Sequence, residues 1–486
     1  MYKHYRKYGV RMDQTLTPLY NQLIKHHLKN PISLHVPGHK NGKILGNQYL
    51  YFQNLLKLDV TELTALDDLH CPEGVIKDAQ ELLSSFYGSK KSYFLVNGST
   101  VGNLAMMLSV LNEDDIVFVQ RNSHKSVHNG IELTGAKPIY LDPDFHEEWG
   151  VSGGVSPHTV QQALNSYSDV KAIVLTYPNY YGLVNDLETI ISLAHSRNIP
   201  VLVDEAHGAH FITGGSFPKS AVQIGADIVV QSAHKTLPAM TMGSFLHFNS
   251  PYVSLVAVEK YLHILQSSSP SYPIMASLDI ARSYAASYQN EDHAYLEKEI
   301  QIFKNELQQL DRIHVLNDSR KGDLLKVTIQ SRNELSGFQM QTLFEDKGIY
   351  TEMADPNNVL LVLPLLKRNQ EYPLKEISEA IADSLDVYKT VRRTLKYSYY
   401  HPRISALEVH PRQFHKWSTR KVPLKEAVGK IAAQQITPYP PGIPIILPGE
   451  RVTEAVVVQI MDLIETGARF QGDLEIYQHQ IYIFEN

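Results

Sequence analysis

The chain has 486 residues, 43% hydrophobic and 20% charged, the make-up of an ordinary globular protein of roughly two to four domains. A formal net charge of −6 is small for that length and argues against nucleic-acid or anionic-membrane partners. The single cysteine, Cys71, excludes an intrachain disulfide and fits a cytoplasmic setting. No stretch approaches the roughly 18 unbroken apolar residues of a membrane helix, and the basic start MYKHYRKYGVRMDQTL lacks a signal-peptide core.

Residues 1–30 read as an N-terminal arm with a helix near Leu19–Leu28. Two loops before the first strand, His35-Val36-Pro37-Gly38-His39-Lys40 and Asp67-Asp68-Leu69-His70-Cys71-Pro72, hold histidines and aspartates. Their spacing matches no metal motif, so no metal site is expected, and Cys71 reads as a small buried residue rather than a nucleophile.

From about residue 90 to 250, short β-rich runs alternate with helical patterns. Strands are expected at Tyr93–Val96, Ile116–Val119, Pro138–Leu141, Val170–Thr176, Val201–Val203, Ala226–Gln231 and Ser244–Phe248. Helices lie between them, such as Asp186–Arg197 with Leu187, Ile190, Ile191 and Ala194 on one face. Near-continuous apolar strands separated by helices predict a mainly parallel, seven-stranded α/β sheet, which binds ligands outside its strand ends. A smaller α/β unit follows: helix Tyr295–Leu310, strand Leu324–Ile329, helix Leu335–Asp346, strand Val359–Leu363 and helix Leu374–Val391. Tyr397–Val422 looks like a linker. The tail carries a rigid extended Pro438–Pro444, a helix near Val452–Glu465 and a strand or hairpin over Leu474–Phe484. The expected organisation is therefore an arm (1–30), a large domain (31–290), a small α/β domain (291–395), and a linker with a C-terminal α+β domain (396–486).

The chemistry-bearing residues fall at strand ends. Asp204 ends an apolar strand in Val201-Leu202-Val203-Asp204-Glu205-Ala206-His207. Lys235 follows another in Gln231-Ser232-Ala233-His234-Lys235-Thr236. A lone lysine there is usually solvated and a lone aspartate usually a helix cap. Together they match what a pyridoxal phosphate site requires: a partly desolvated amine to hold the cofactor as a Schiff base, and a carboxylate to pair with its pyridine nitrogen. Ser232 and His234 can reach a phosphate from the lysine's own turn. Asn97-Gly98-Ser99-Thr100 opens a helix, where free N–H groups and two hydroxyls suit an anion, although the same four residues also make an ordinary turn. His124, in Arg121-Asn122-Ser123-His124-Lys125-Ser126, reads either as a ring stacking on the cofactor or as a loop histidine bonded to backbone. His207 has the same two readings, cofactor contact or structural. Thr176, at the start of Thr176-Tyr177-Pro178-Asn179-Tyr180-Tyr181-Gly182, is placed to bond the cofactor's phenolic oxygen, and the tyrosines either wall the substrate or pack.

The motifs HVPGHKNG, LDDLHCPEG, RNSHKS, LVDEAHGAH, SAHKTL and PYPPGIPIILPGE occur in that order. As a set they resemble the Orn/Lys/Arg decarboxylase family, over about His35 to Gly467. The resemblance implies the pyridoxal-phosphate fold of the aspartate-aminotransferase type and decarboxylation of a small basic amino acid by a homodimer or larger assembly. It is nearest to the shorter members, because HVPGHK begins at His35 and leaves no room for the receiver-like domain of longer ones. It implies that Lys235 is the Schiff-base lysine, Asp204 the pyridine partner and His124 the stacking ring. It also implies that Gly98, Ser99, Thr100, Ser232 and His234 bind phosphate and that His207 lies near the ring. Carboxylates facing the substrate's distal cation are sought among Glu62, Asp67, Asp68 and Glu352; one charge-assisted pair contributes about 1.5–3 kcal/mol. The sequence departs from several short members at Gln434, where they carry glutamate. An aminotransferase or lyase of the same fold would make a keto acid or an elimination product. A non-catalytic homologue would lack Lys235 or Asp204, or carry a DNA-binding module.

Overall fold

A computed structural model describes residues 12–316, 322–390, 402–439, 442–471 and 475–485. Residues 1–11 of the arm, the expected helix end at Val391, linker positions 397–401, Pro440, Pro441 and Leu474 lie outside them. The chain forms two compact units. Unit 1 comprises Met1–Ser109, Leu202–Gly214 and Lys219–Gln289; unit 2 comprises Val110–Val201, Gly215–Pro218 and Asn290–Asn486.

The strands are, in chain order, β1 (Lys91–Leu95), β2 (Ile116–Gln120), β3 (Lys137–Leu141), β4 (Phe145–His146), β5 (Val151–Ser152), β6 (Val170–Thr176), β7 (Val201–Asp204), β8 (Ile228–Gln231) and β9 (Ser244–Phe248). Next come β10 (Ile313–Val315), β11 (Lys326–Ser331), β12 (Met353–Ala354), β13 (Asn358–Val362), β14 (Ile404–Ala406), β15 (Ser418–Pro423) and β16 (Gln480–Glu485). All seven strands expected between residues 90 and 250 form.

In unit 1 the strands run in the order β1–β9–β8–β7. β9 is antiparallel to both neighbours, and β7 is parallel to β8 in the register Leu202↔Ile228 to Asp204↔Val230. Every residue of β7, β8 and β9 is buried, as the apolar runs require of strands covered on both faces. The arm's helix, Pro18–Leu28, is seated by a buried ion pair. Asp279 accepts the Leu19 N–H at 3.0 Å and is itself paired with Arg282 at 2.8 Å, both carboxylate and guanidinium being fully buried. A carboxylate at a helix N-terminus satisfies donors that the helix cannot.

In unit 2, β2 lies parallel between β6 and β3, and β14 adds an antiparallel edge to β3. The expected helix after β6 spans Leu187–His195 and buries Leu187, Ile190, Ile191 and Ala194. β10–β11–β13–β12 form a second, antiparallel sheet, with helices Asn290–Gln308, Gly337–Asp346 and Leu374–Leu385 in the same region. The C-terminal part pairs β15 with β16 over a core that includes Ile436, Val457, Ile460 and Ile481.

Two sequence expectations need correction. The segment read as a linker, Tyr397–Val422, contains β14, a 3-10 helix at Pro411–Lys416 and most of β15. Its strands were hidden because their partners, β3 and β16, are far away in the chain. Of the strand or hairpin expected over Leu474–Phe484, the strand forms, as β16 paired with β15. Cys71 is exposed, not buried.

Candidate active site

In unit 1 three strand-end segments supply the site. β7 delivers Asp204, 3% exposed, into a fixed setting: one carboxylate oxygen accepts from Asn103 Nδ2 at 2.8 Å and the other from the Ala206 N–H at 3.2 Å. The chain then turns through Glu205-Ala206-His207-Gly208. Gly208 is required because a Cβ there would come within 2.7 Å of the Glu205 side chain. The turn buries His207 and aims its Nε2 at Lys235 Nζ, 3.0 Å away. Lys235 stands on the single turn Ala233–Thr236 after β8. That turn is tied down by His234, whose N–H donates to Gly243 O at 3.2 Å and whose ring Nδ1 lies 3.0 Å from the same oxygen.

The start of the helix Gly98–Leu108 meets the same turn, the Ser232 hydroxyl lying 2.9 Å from that of Ser99. Gly98 has φ +78°, and a Cβ there would find nothing within 4 Å, so the N-terminal turn faces open space. Thr100 is exposed beside it. The first N–H groups of a helix have no intrahelical partner, and two adjacent hydroxyls add to the anion-binding character.

Glu205, next to Asp204, belongs to the core. Its carboxylate accepts from Ser220 Oγ (2.8 Å), the Ala221 N–H (2.7 Å) and Gln231 Nε2 (2.6 Å). Burial nonetheless pushes the carboxyl up to about 8, against the lowering effect of those three donors.

The acidic loop of unit 1 uses its side chains differently. Asp67 accepts backbone N–H groups from Asp68, Glu73, Gly74, Ile76 and Lys77 at 2.8–3.2 Å, organising the start of the helix Val75–Tyr87. Asp68 accepts from the His70 N–H at 2.8 Å, and exposed Glu62 accepts from Thr61 Oγ1. The three acids surround the Tyr272 phenol, which burial and then the charges of Glu62, Asp68 and Asp67 push upward. His39 pairs with Asp59 at 3.0 Å, and His70 Nε2 lies 2.9 Å from Ser267 O.

In unit 2, His124 caps the helix Lys125–Thr134. Its Nδ1 accepts the Ser126 N–H at 3.2 Å and lies 2.9 Å from Ser126 Oγ, which fixes the neutral ring as the Nε2–H tautomer. Thr176, at the end of β6, places its hydroxyl 3.2 Å from that of Ser123. Glu352 is exposed. Gln434 accepts the Tyr482 N–H at 3.0 Å, within the C-terminal part.

Sequence reasoning missed Asn103, Tyr272 and the extent of Arg121's contacts. Asn103 carried a signal, being the polar residue in the otherwise apolar run Val101–Leu108.

The crystal structure of the Francisella novicida lysine decarboxylase LdcF matches this fold with a TM-score of 0.80 at 21% identity, covering 97% of this chain and 81% of that one. The fold is that of the pyridoxal-phosphate enzymes of fold type I. Residues 17–327 match the family model described as Orn/Lys/Arg decarboxylase, major domain, and residues 395–474 match the C-terminal domain of the same family. The chain belongs to the Orn/Lys/Arg decarboxylase family, and it is a pyridoxal-phosphate-dependent amino-acid decarboxylase. The arginine decarboxylase of Bacillus subtilis is 33% identical over 489 residues, 98% of this chain and 99% of that protein. The uncharacterised B. subtilis protein YaaO is 46% identical over 474 residues, 96% of this chain and 98% of its own.

The donor set in unit 1 fits the cofactor: an amine paired with an imidazole, a buried carboxylate with a defined donor, and a helix start lined by hydroxyls beside open space. Among the described residues no helix is long and apolar enough to cross a membrane.

Proposed function

We propose that this enzyme removes the α-carboxylate of a basic amino acid (lysine, ornithine or arginine) as carbon dioxide and releases the corresponding di- or polyamine, acting as a cytoplasmic homodimer or larger homo-oligomer. The observation that carries the assignment of the reacting centre is the 3.0 Å contact between Lys235 Nζ and His207 Nε2, three residues beyond the buried Asp204. The basic side chain is supported by relatives named for arginine and lysine. The organisation proposed is the arm (1–30), large domain (31–290), small domain (291–395) and C-terminal part (396–486).

When bound, pyridoxal phosphate supplies the electron sink for the pair released as the bond from Cα to the carboxylate breaks. Lys235 provides the amine that anchors the cofactor. Imidazole at hydrogen-bond distance gives that amine a place to leave or fetch its proton, so Lys235 and His207 together hold the proton that Cα requires after carbon dioxide departs. Asp204 carries a fixed negative charge, oriented by Asn103, that holds a proton on the pyridine nitrogen. Gly98, Ser99, Thr100, Ser232 and His234 would hold the phosphate, His124 would stack on the ring, and Thr176 would bond the phenolic oxygen. The distal cation of the substrate is met by carboxylates drawn from Glu62, Asp67, Asp68 and Glu352. Asp68 and Glu62 are better supported than Asp67, whose oxygens are taken by five N–H groups.

The test is product analysis. Purified, cofactor-loaded protein is incubated separately with lysine, ornithine and arginine, and carbon dioxide and amine are measured by mass spectrometry. One amine dominating is the expected result and names the substrate. No carbon dioxide from any of the three would remove the basic-amino-acid assignment.

A further inference from the structure

The loop that carries His124 is gripped by a distant part of the chain. Arg121, three residues before the histidine and 3% exposed, lies over the Tyr140 ring and directs three hydrogen bonds to one segment. Nη1 donates to Pro444 O at 3.0 Å, and Nη2 donates to Ile445 O at 3.0 Å and to the Glu450 carboxylate at 2.8 Å. Glu450 in turn accepts the Leu447 N–H at 2.8 Å, which closes the segment on itself. At the segment's other end the Lys125 N–H donates to Gly442 O at 3.3 Å, and Lys125 Nζ donates to Gln471 Oε1 at 2.9 Å.

Gly442 also approaches the His124 ring. It has φ +83°, which favours glycine, and a Cβ there would sit 3.4 Å from His124 Cδ2 and 3.5 Å from Nε2. The imidazole is therefore bonded at Nδ1 by Ser126, and its Cδ2–Nε2 edge is flanked by the backbone at Gly442, with room for about one methyl group between them. The Arg121–Glu450 pair fixes the far end of the 442–450 segment to the His124 loop through a side chain of that loop. A planar guanidinium reaching three acceptors in one direction is a geometry that lysine cannot copy.

We propose that Arg121 and Glu450 are positioning residues that set the plane of the His124 ring by clamping the 442–450 segment against it. The proposal rests on the reading of His124 as the ring that stacks on the cofactor. It gives the 442–450 segment, GIPIILPGE, a function in cofactor binding, exerted through one histidine rather than through contact with the substrate.

The experiment is a double-mutant cycle on the full-length chain: Glu450→Gln, Arg121→Lys and His124→Ala singly, and each clamp variant combined with His124→Ala. Two quantities are read, cofactor affinity by titration of apoenzyme and the visible circular-dichroism band of the bound cofactor, with thermal melting run alongside. Each single variant is expected to weaken cofactor binding about tenfold, the usual size for a supporting residue, and to alter the visible band. In the His124→Ala background the clamp variants are expected to add nothing. Additive losses would overturn the proposal, as would clamp variants that lower the melting temperature while leaving affinity and band unchanged. If His124→Ala weakens binding but the clamp variants do not, the clamp falls and the stacking reading stands. If His124→Ala itself changes neither quantity, both fall. Should Glu450→Gln fail to fold, Gly442→Ala perturbs the same contact from the other end and is judged against His124→Ala by the same rule.

Discussion

Unit 1 contains two acidic pairs that look alike in sequence, Asp204-Glu205 and Asp67-Asp68, and the structure uses them in opposite ways. At the end of β7 the first acid is held by one side-chain amide and one backbone N–H, while its neighbour is absorbed by the core. In the loop before the helix Val75–Tyr87 the first acid is consumed by its own backbone, and its neighbour keeps a single N–H donor. The two pairs differ in the number and origin of the donors to each carboxylate, not in the local sequence.

The sharpest break of the β7 side is Lys235→Ala. It removes both the cofactor's anchor and the proton carrier paired with His207, so turnover should fall about ten-thousand-fold or more, and the absorbance band of the covalently held cofactor should vanish. A band that persists in that variant would refute the assignment. Asp204→Asn comes next. It keeps the shape but loses the charge, and it sets an amide N–H against either Asn103 Nδ2 or the Ala206 N–H, both of which donate to it. A loss of roughly a hundredfold in kcat is expected, with the cofactor still bound; an unchanged kcat would place Asp204 among the structural acids.

Glu205 sharpens the comparison through pH. Its carboxyl is raised from 4.5 to about 8, so between those values the folded chain holds a proton that the unfolded chain has lost, and stability falls as pH rises. Burial lowers His247 from 6.5 to about 3. There the unfolded chain holds the extra proton, so stability rises with pH until about 6.5. His128, lowered by burial and then by Arg121, acts in the same sense. The two effects oppose one another below 6.5, and above it, of these three groups, only Glu205 still changes its proton binding. Urea denaturation should therefore show roughly 2 kcal/mol lost between pH 6.5 and 8, and a flatter profile in Glu205→Gln. Equal slopes in the two proteins would show that Glu205 is ionised throughout.

On the β7 side the sequence singles out Lys235, Asp204, Ser99 and Ser232 because the proposed chemistry demands those residue types at strand ends, and the structure brings Lys235 to His207 and Ser232 to Ser99. The supports were not legible. Asn103 reaches Asp204 from another strand–helix unit, and Arg121 reaches Pro444 and Glu450 from the far end of the chain. Neither distance is encoded in local periodicity. β14 and β15 were missed for the same reason, since a short strand among prolines and arginines is specified by a remote partner. The acidic loop reads two ways in sequence, because a residue type suited to binding a cation is equally suited to capping a helix, and Asp67 does organise the start of one.

The loop side is broken by Asp67→Ala against Asp68→Ala. Asp67 serves five backbone N–H groups at a half-buried site, so its removal should cost about 2 kcal/mol of stability, while removal of Asp68, with one N–H donor, should cost about 0.5 kcal/mol. Asp67 also sits at φ +72°, where alanine is strained, so Asp67→Gly is needed to separate the lost acceptor from the lost conformation. If both Asp67 variants destabilise the fold and leave KM for the basic substrate unchanged, the residue is a cap. If Asp67→Gly is as stable as wild type and KM rises, the carboxylate that organises this helix also meets the substrate, and the two acidic pairs are more alike than their donors suggest.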